Sequence, residues 1–179
     1  DQDLHSKFKL LEGKHALSGN AEVLATQAGC HYHLHDARRA LVLAKQAWAI
    51  DPIVPTCTLV QVCALVELRL SNELFLLAHQ LVDRDPNKAM AWFAVGCYYL
   101  LVRKYELAQQ YFHKATTMDG ALAAGWMGRG HAFAALDESD QAMAAYRTAM
   151  RLFPGSHLPF LCTGMEYLRT NNFQVSLHS

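Results

Sequence analysis

Histidine recurs at every second position in the run His31-Tyr32-His33-Leu34-His35. On a helix, His31 and His35 would share a face at i, i+4, a spacing at which two imidazoles can hold a transition metal. The repeat register described below gives a plainer reading. It puts His31 where an inter-helix aromatic belongs, His35 in a turn and His33 toward a groove, so no metal ligand is expected. The five cysteines, Cys30, Cys57, Cys63, Cys97 and Cys162, are odd in number and form no C-x-x-C pair. They read as reduced, half-buried small hydrophobes of a cytosolic or nuclear protein, not as a disulfide framework. Cys63 and Cys97 lie 34 residues apart. A redox pair is one reading of that spacing. Nothing nearby is an obvious base or cation to activate a thiolate, so apolar lining of a binding groove is the stronger one. The phosphate-binding, dinucleotide-binding, nucleophile-elbow and zinc-protease motifs are all absent. No catalytic residue, metal ligand or cofactor is assigned, and the chain is not expected to be an enzyme.

The elements that would position these residues are set by an internal repeat. Pro52, Pro86 and Pro154 fall on a 34-residue ladder, with Gly120 on the vacant rung. Each follows an end-of-helix residue: Asp51, Asp85, Asp119 or Phe153. Proline cannot continue a helix and restricts the residue before it. Glycine is expected to serve the same boundary by tolerating positive φ. The clearest unit, 89–122, carries Trp92, Val95, Gly96, Tyr99, Ala108, Phe112 and Ala115, the pattern of a tetratricopeptide repeat. The next, 123–156, repeats it with Trp126, Gly130, Phe133, Ala142, Tyr146, Ala149 and Pro154, departing at Arg129 where an aliphatic residue is usual. Units 21–54 and 55–88 keep small and apolar character while their identities drift. A fifth, 157–179, starts with Phe160, Gly164 and Tyr167 and is expected to end a few residues into its second helix. Residues 1–20 read as the tail of a preceding unit, with Phe8, Leu10 and Leu11 ending a helix at Gly13. The expected fold is all-α: a right-handed superhelical tetratricopeptide-repeat solenoid of antiparallel helix pairs. Gly96 and Gly130 should mark the closest approach of the helices within a pair, opposite Ala108 and Ala142. The chain itself reads as the middle of a longer solenoid.

Composition narrows the partners. The chain has 16 basic and 16 acidic side chains and is 52% hydrophobic. This balance lacks the clustered cations that nucleic acid or an anionic membrane surface demands. No run approaches the roughly 20 apolar residues needed to span a bilayer. Asp1–His5 does not begin a signal peptide. In such solenoids the stacked first helices line a concave face that binds proteins. The register assigns to that face Thr56, Leu59, Cys63, Val66 and Glu67; then Met90, Phe93, Cys97, Leu100 and Leu101; then Met127, His131 and Ala134. Glu67 alone among them is an acid or a base outside histidine and cysteine. A stand-alone adaptor of the co-chaperone kind would need a basic carboxylate clamp there. The apolar lining suits a hydrophobic peptide or another helix, or is covered by the chain's own next turn.

Residues that the generic repeat does not demand carry a further likeness. They include Trp92-Phe93-Ala94-Val95-Gly96-Cys97-Tyr98-Tyr99-Leu100, Asn72-Glu73-Leu74-Phe75 with Leu81-Val82-Asp83, and His131 to Phe133. Asp140-Gln141-Ala142-Met143-Ala144-Ala145-Tyr146, His157-Leu158-Pro159, Glu166-Tyr167 and Thr170-Asn171-Asn172 extend it over roughly residues 20–175. In these the chain resembles the family of the sixteenth cell-division-cycle protein, scaffold subunits of the anaphase-promoting complex (cyclosome). The resemblance implies a non-catalytic architectural subunit of a ubiquitin ligase, resident in nucleus and cytoplasm. It implies contacts with neighbouring repeat subunits, a homodimer through repeats outside this span, and a small accessory subunit held in a groove. It assigns no individual binding residue.

Overall fold

The computed structural model describes residues 20–52, 54–156 and 158–177. The sequence reading of Phe8 to Gly13 lies outside the described residues. Among those residues there are nine helices and no strand: α1 Ala21–His33, α2 Ala37–Ile50, α3 Pro55–Glu67, α4 Ser71–Arg84, α5 Ala89–Leu101, α6 Tyr105–Met118, α7 Ala123–Ala135, α8 Ser139–Leu152 and α9 Leu158–Leu177. The first eight alternate between 13 and 14 residues. One such pair falls in each 34-residue window from residue 21 to 156. None of the described helices is long and apolar enough to cross a membrane. The chain divides into two compact units, one reaching to Leu74 and the other starting at Phe75, with the division inside α4.

In the first unit α1, α2 and α3 pack on one another. Their core draws Leu24, Ala25 and Ala28 from α1, Ala40, Ala44 and Ala47 from α2, and Cys57 and Val60 from α3. Apart from the adjacent Leu24 and Ala25, these recur at three- and four-residue spacing, the stripe a helix must bury. The alanines let the helices approach closely. Asn20 caps α1 by accepting the Glu22 amide at 2.8 Å, and Asp36 caps α2 by accepting the Arg39 amide at 3.2 Å. Pro55 opens α3 at the position where its missing N–H costs nothing. The Cys57 thiol donates to the Ala44 carbonyl at 2.9 Å, so this wholly buried sulfur is satisfied.

In the second unit α5 packs on α6, α6 on α7, α7 on α8 and α8 on α9. Phe112 of α6 is its largest fully buried side chain. A Cβ at Gly96 would lie 2.7 Å from Phe112 Cδ1, and one at Gly128 would lie 2.5 Å from Phe112 Cε1. A Cβ at Gly130 would collide with the Tyr146 ring. Gly96 and Gly130 thus sit in close approach to the second helix of their own pair, as the register suggested, and what lies nearest them is an aromatic ring, Phe112 or Tyr146. Trp92 and Trp126 reach back to their entry loops, donating indole N–H to the carbonyls of Pro86 at 2.7 Å and Gly120 at 3.0 Å.

The turns between pairs and those within them differ in backbone conformation. Glycine was expected to use positive φ at residue 120, yet no described glycine has positive φ. The junctions after the second helices leave through extended caps, such as Asp51 (φ −143°) and Asp119 (φ −138°). Positive φ occurs instead within each pair, at His35 (59°), Arg69 (58°), Arg103 (61°) and Asp137 (62°), spaced 34 residues apart. The next residue's amide turns back to the preceding helix: Asp36 to His31 O at 2.9 Å, Leu70 to Leu65 O at 3.0 Å, Lys104 to Tyr99 O at 2.9 Å and Glu138 to Phe133 O at 3.0 Å. This is the left-handed helix-ending motif, made here without glycine.

The fifth unit also departs from expectation. α9 runs unbroken for 20 residues, through residue 171 where the pattern sets a turn. It docks on α8 through a polar cluster. Arg169 pairs with Asp137, with Ser139 Oγ at 2.9 Å and with Glu166 Oε1 at 2.5 Å. Leu158, Leu161, Met165 and Leu168 stay exposed on its surface.

Candidate protein-binding face

The thirteen residues assigned to the binding face lie on α3, α5 and α7, but their accessibility differs. On α3, Thr56 and Glu67 are exposed, while Leu59, Cys63 and Val66 are half-buried. Cys63 is packed against α1. Burial pushes its thiol up to about 12, a hydrogen bond with Tyr32 works against the rise, and the Glu67 carboxylate adds to it. Such a group stays protonated at neutral pH and is a poor nucleophile. Cys57 is likewise pushed up to about 11 by burial.

On α5, Met90, Leu100 and Leu101 are half-buried. Phe93 is 3% exposed and meets the Phe112 ring at 5.9 Å, and Cys97 is 6% exposed. These two side chains offer almost no surface to a ligand. On α7, Met127 and Ala134 are half-buried and pack, with Cys162 of α9, around Phe133, Ala142 and Tyr146. His131 is solvent-accessible, yet protein surrounds enough of it for desolvation to lower its pKa. Its Nδ1 lies 3.0 Å from Tyr146 Oη, and the rings meet edge-on at 5.5 Å. Burial raises the Tyr146 phenol, with Cys162 and Glu166 adding to the rise. A protonated phenol facing a neutral imidazole donates to Nδ1, which leaves Nε2–H as the donor His131 presents. In each unit taken by itself, on α3 in the first and on α5 and α7 in the second, the accessible members of this set are mostly apolar with a few polar groups among them.

The alternating histidines are separated by the helix end. α1 stops at His33, so His35 sits in the turn at φ 59° and does not share a face with His31. His31 is 19% exposed in its side chain, with Nδ1 3.9 Å from Asp36 Oδ2. Among the described residues no three His, Cys, Asp or Glu side chains converge as a metal would require.

Sequence reasoning missed an aromatic run beside this face. Tyr111 stacks between Trp92 and Tyr99 at 5.8 and 5.2 Å, and Tyr98 meets Tyr99 and Phe75 at 5.3 and 5.2 Å. Lys114 Nζ sits 3.1 Å from the centre of the Trp92 ring. Tyr111 and Phe75 fall outside the repeat's own pattern. Only their proximity to Trp92 and Tyr98 in a folded pair could reveal them. Gly128 was also missed, although its spacing from Gly130 was visible.

Paired 13- and 14-residue helices in a 34-residue register, with an apolar first-helix face, define a tetratricopeptide-repeat interaction domain. The profile of the tetratricopeptide repeat family matches residues 89–121 and 123–156. The chain is 44% identical over 180 residues to anaphase-promoting complex subunit 6 of Arabidopsis thaliana, covering 95% of this chain and 33% of that protein. It is 43% identical over 172 residues to the cell division cycle protein 16 homolog of Homo sapiens, covering 96% and 28%. The crystal structure of the anaphase-promoting complex hetero-tetramer Cut9–Hcn1 superposes with a TM-score of 0.87 at 34% identity, over 98% of this chain and 33% of that one. The chain belongs with the cell division cycle 16/subunit 6 family of tetratricopeptide-repeat proteins. It spans about a third of the length of the relatives it matches.

Proposed function

We propose that this chain is a non-catalytic scaffold in an anaphase-promoting complex, carrying contacts to other protein subunits in cell-cycle control. The observation that supports it most is the likeness to Cut9 in the Cut9–Hcn1 assembly over nearly the whole chain. The accessible members of its first-helix face suit this role: Leu59, Val66, Met90, Leu100, Leu101 and Met127 are apolar and half-buried. Such a surface favours another helix or an extended apolar peptide. Neighbouring repeat subunits and a small accessory subunit are the proposed partners, with a homodimer formed through repeats outside this span. Nucleus and cytoplasm are the proposed locations.

The test is affinity purification of the tagged protein from its own cells, followed by mass spectrometry. Cyclosome subunits should be recovered together and stoichiometrically. Recovery without any of them would overturn the reading. A set of chaperones in their place would support a stand-alone adaptor.

A further inference from the structure

The third helix pair encloses Tyr111 between Trp92 and Tyr99, its ring parallel to both within 1° and 4°. In the fourth pair Trp126 and Phe133 stand in the places of Trp92 and Tyr99, but Ala145 stands where Tyr111 was. Arg129 fills the gap. Its guanidinium carbon lies 5.4 Å from the centre of the Trp126 ring and 5.4 Å from that of Phe133. A planar guanidinium can replace a ring because it stacks on aromatic faces. This explains the departure at Arg129, whose counterpart in the third pair is Val95: the long side chain compensates for the missing ring.

The replacement is not chemically neutral. Methionine or leucine would fill the same space without desolvating a charge. Arg129 Nε is sealed from solvent with no acceptor, and burial lowers the guanidinium's pKa. No described carboxylate pairs with it, whereas Arg169 pairs with Asp137 and Glu166. The residue is only half-buried, so part of the side chain remains reachable.

We propose that Arg129, held between Trp126 and Phe133, is a binding point for a single carboxylate, an acidic side chain of a partner protein. A carboxylate matches the planar fork of a guanidinium. A phosphate site gathers several cations, and the other arginines nearby in sequence are engaged elsewhere: Arg147 donates to Tyr167 Oη at 2.8 Å and Arg151 to Thr148 Oγ1 at 3.3 Å. That the carboxylate belongs to a protein rests on the scaffold reading above.

The site can be tested without any natural partner. Hexaglutamate titrated into the ¹⁵N-labelled chain should shift the Arg129 Nε–H and Trp126 indole N–H signals saturably, and hexaglutamine should not. Arg129→Met, which refills the gap, should abolish the response. Arg129→Lys, which keeps the charge but not the plane, should weaken binding at least tenfold. Should Arg129→Met fail to fold, the Lys variant and the wild-type titration decide. No saturable shift, or an unchanged shift in either variant, would overturn the site. Tighter binding of inorganic phosphate than of hexaglutamate would overturn the carboxylate assignment. A positive titration alongside a failed cyclosome purification would leave the site standing and remove only the scaffold reading.

Discussion

Replacing glycine by alanine inside a helix ordinarily stabilises it by about 0.5–1 kcal/mol, because glycine loses more backbone freedom on folding. At Gly128 the sign should invert. The added methyl would lie 2.5 Å from Phe112 Cε1 and 2.6 Å from Cζ, against the roughly 3.5–4.0 Å of an ordinary carbon contact. The ring must retreat by about 1 Å, and it is wholly buried and already touches the site of a Gly96 Cβ along its Cδ1–Cε1 edge. Overpacking of that kind costs about 1–3 kcal/mol, so the net effect of Gly128→Ala is a loss of about 1–2 kcal/mol. Gly29 provides the control: it lies in α1 with nothing within 4 Å of its Cβ position, so Gly29→Ala should gain about 0.5–1 kcal/mol. Urea unfolding followed by circular dichroism at the helical band reads both, with midpoints moving in opposite directions and slopes unchanged. Combining Gly128→Ala with Phe112→Leu should show a coupling that offsets part of the two separate losses, since the smaller side chain relieves the clash. If Gly128→Ala stabilises as much as Gly29→Ala, the close approach of α7 to Phe112 is wrong.

Arg103 adopts φ 61° with an exposed side chain, so Arg103→Gly should stabilise by about 0.5–1 kcal/mol; an unchanged thermal midpoint would contradict the backbone strain. Arg169→Met should cost about 2 kcal/mol in chemical denaturation, since it strands the buried Glu166 carboxylate. Burial acts to raise the Glu166 pKa, but hydrogen bonds from Arg169 and Ser139 and the Arg169 charge outweigh it and hold it below 4.5. Its contribution should therefore be full above pH 4.5 and lost as pH falls through the lower folded value, so wild type and Glu166→Gln should converge in stability in acid. Cys57, wholly buried and pushed up to about 11, should resist iodoacetamide at pH 7 until the chain unfolds; mass spectrometry showing it alkylated as fast as the half-buried Cys30 would refute its burial. Leu161→Lys with Leu168→Lys should leave stability within about 0.5 kcal/mol while reducing self-association in sedimentation, because both side chains are exposed.

The helix pairs were legible because each depends on short-range patterning. Alanines at 40, 44 and 47, or 108 and 115, show their buried stripe without knowledge of the neighbour. The turns were not legible in the same way. His35, Arg69, Arg103 and Asp137 have little in common chemically, and none is glycine or asparagine. Their left-handed backbone is imposed by two helices that must lie antiparallel, so tertiary packing overrides local preference. Periodicity likewise gave Phe93 and Cys97 a direction on α5 but not their distance from what packs there, and the structure buries both. Arg129 was visible as an exception, but its meaning depends on Ala145, sixteen residues away on the partner helix. A pair of compensating departures cannot be read from either residue alone.

The ladder of left-handed turns also bears on which changes of length the chain can survive. Each turn closes through a fixed amide-to-carbonyl return, as from Lys104 to Tyr99. One residue inserted there would rotate the following helix by about 100° and carry Phe112 away from its glycines. The junctions at residues 85–88 and 119–122 return only onto the cap residue itself, Lys88 N–H to Asp85 O at 3.1 Å and Leu122 N–H to Asp119 O at 3.3 Å, a looser closure than a return into the preceding helix. Insertions and deletions among homologues should therefore accumulate between pairs and spare the turns within them, giving the repeat one hinge that can drift in length and one that cannot.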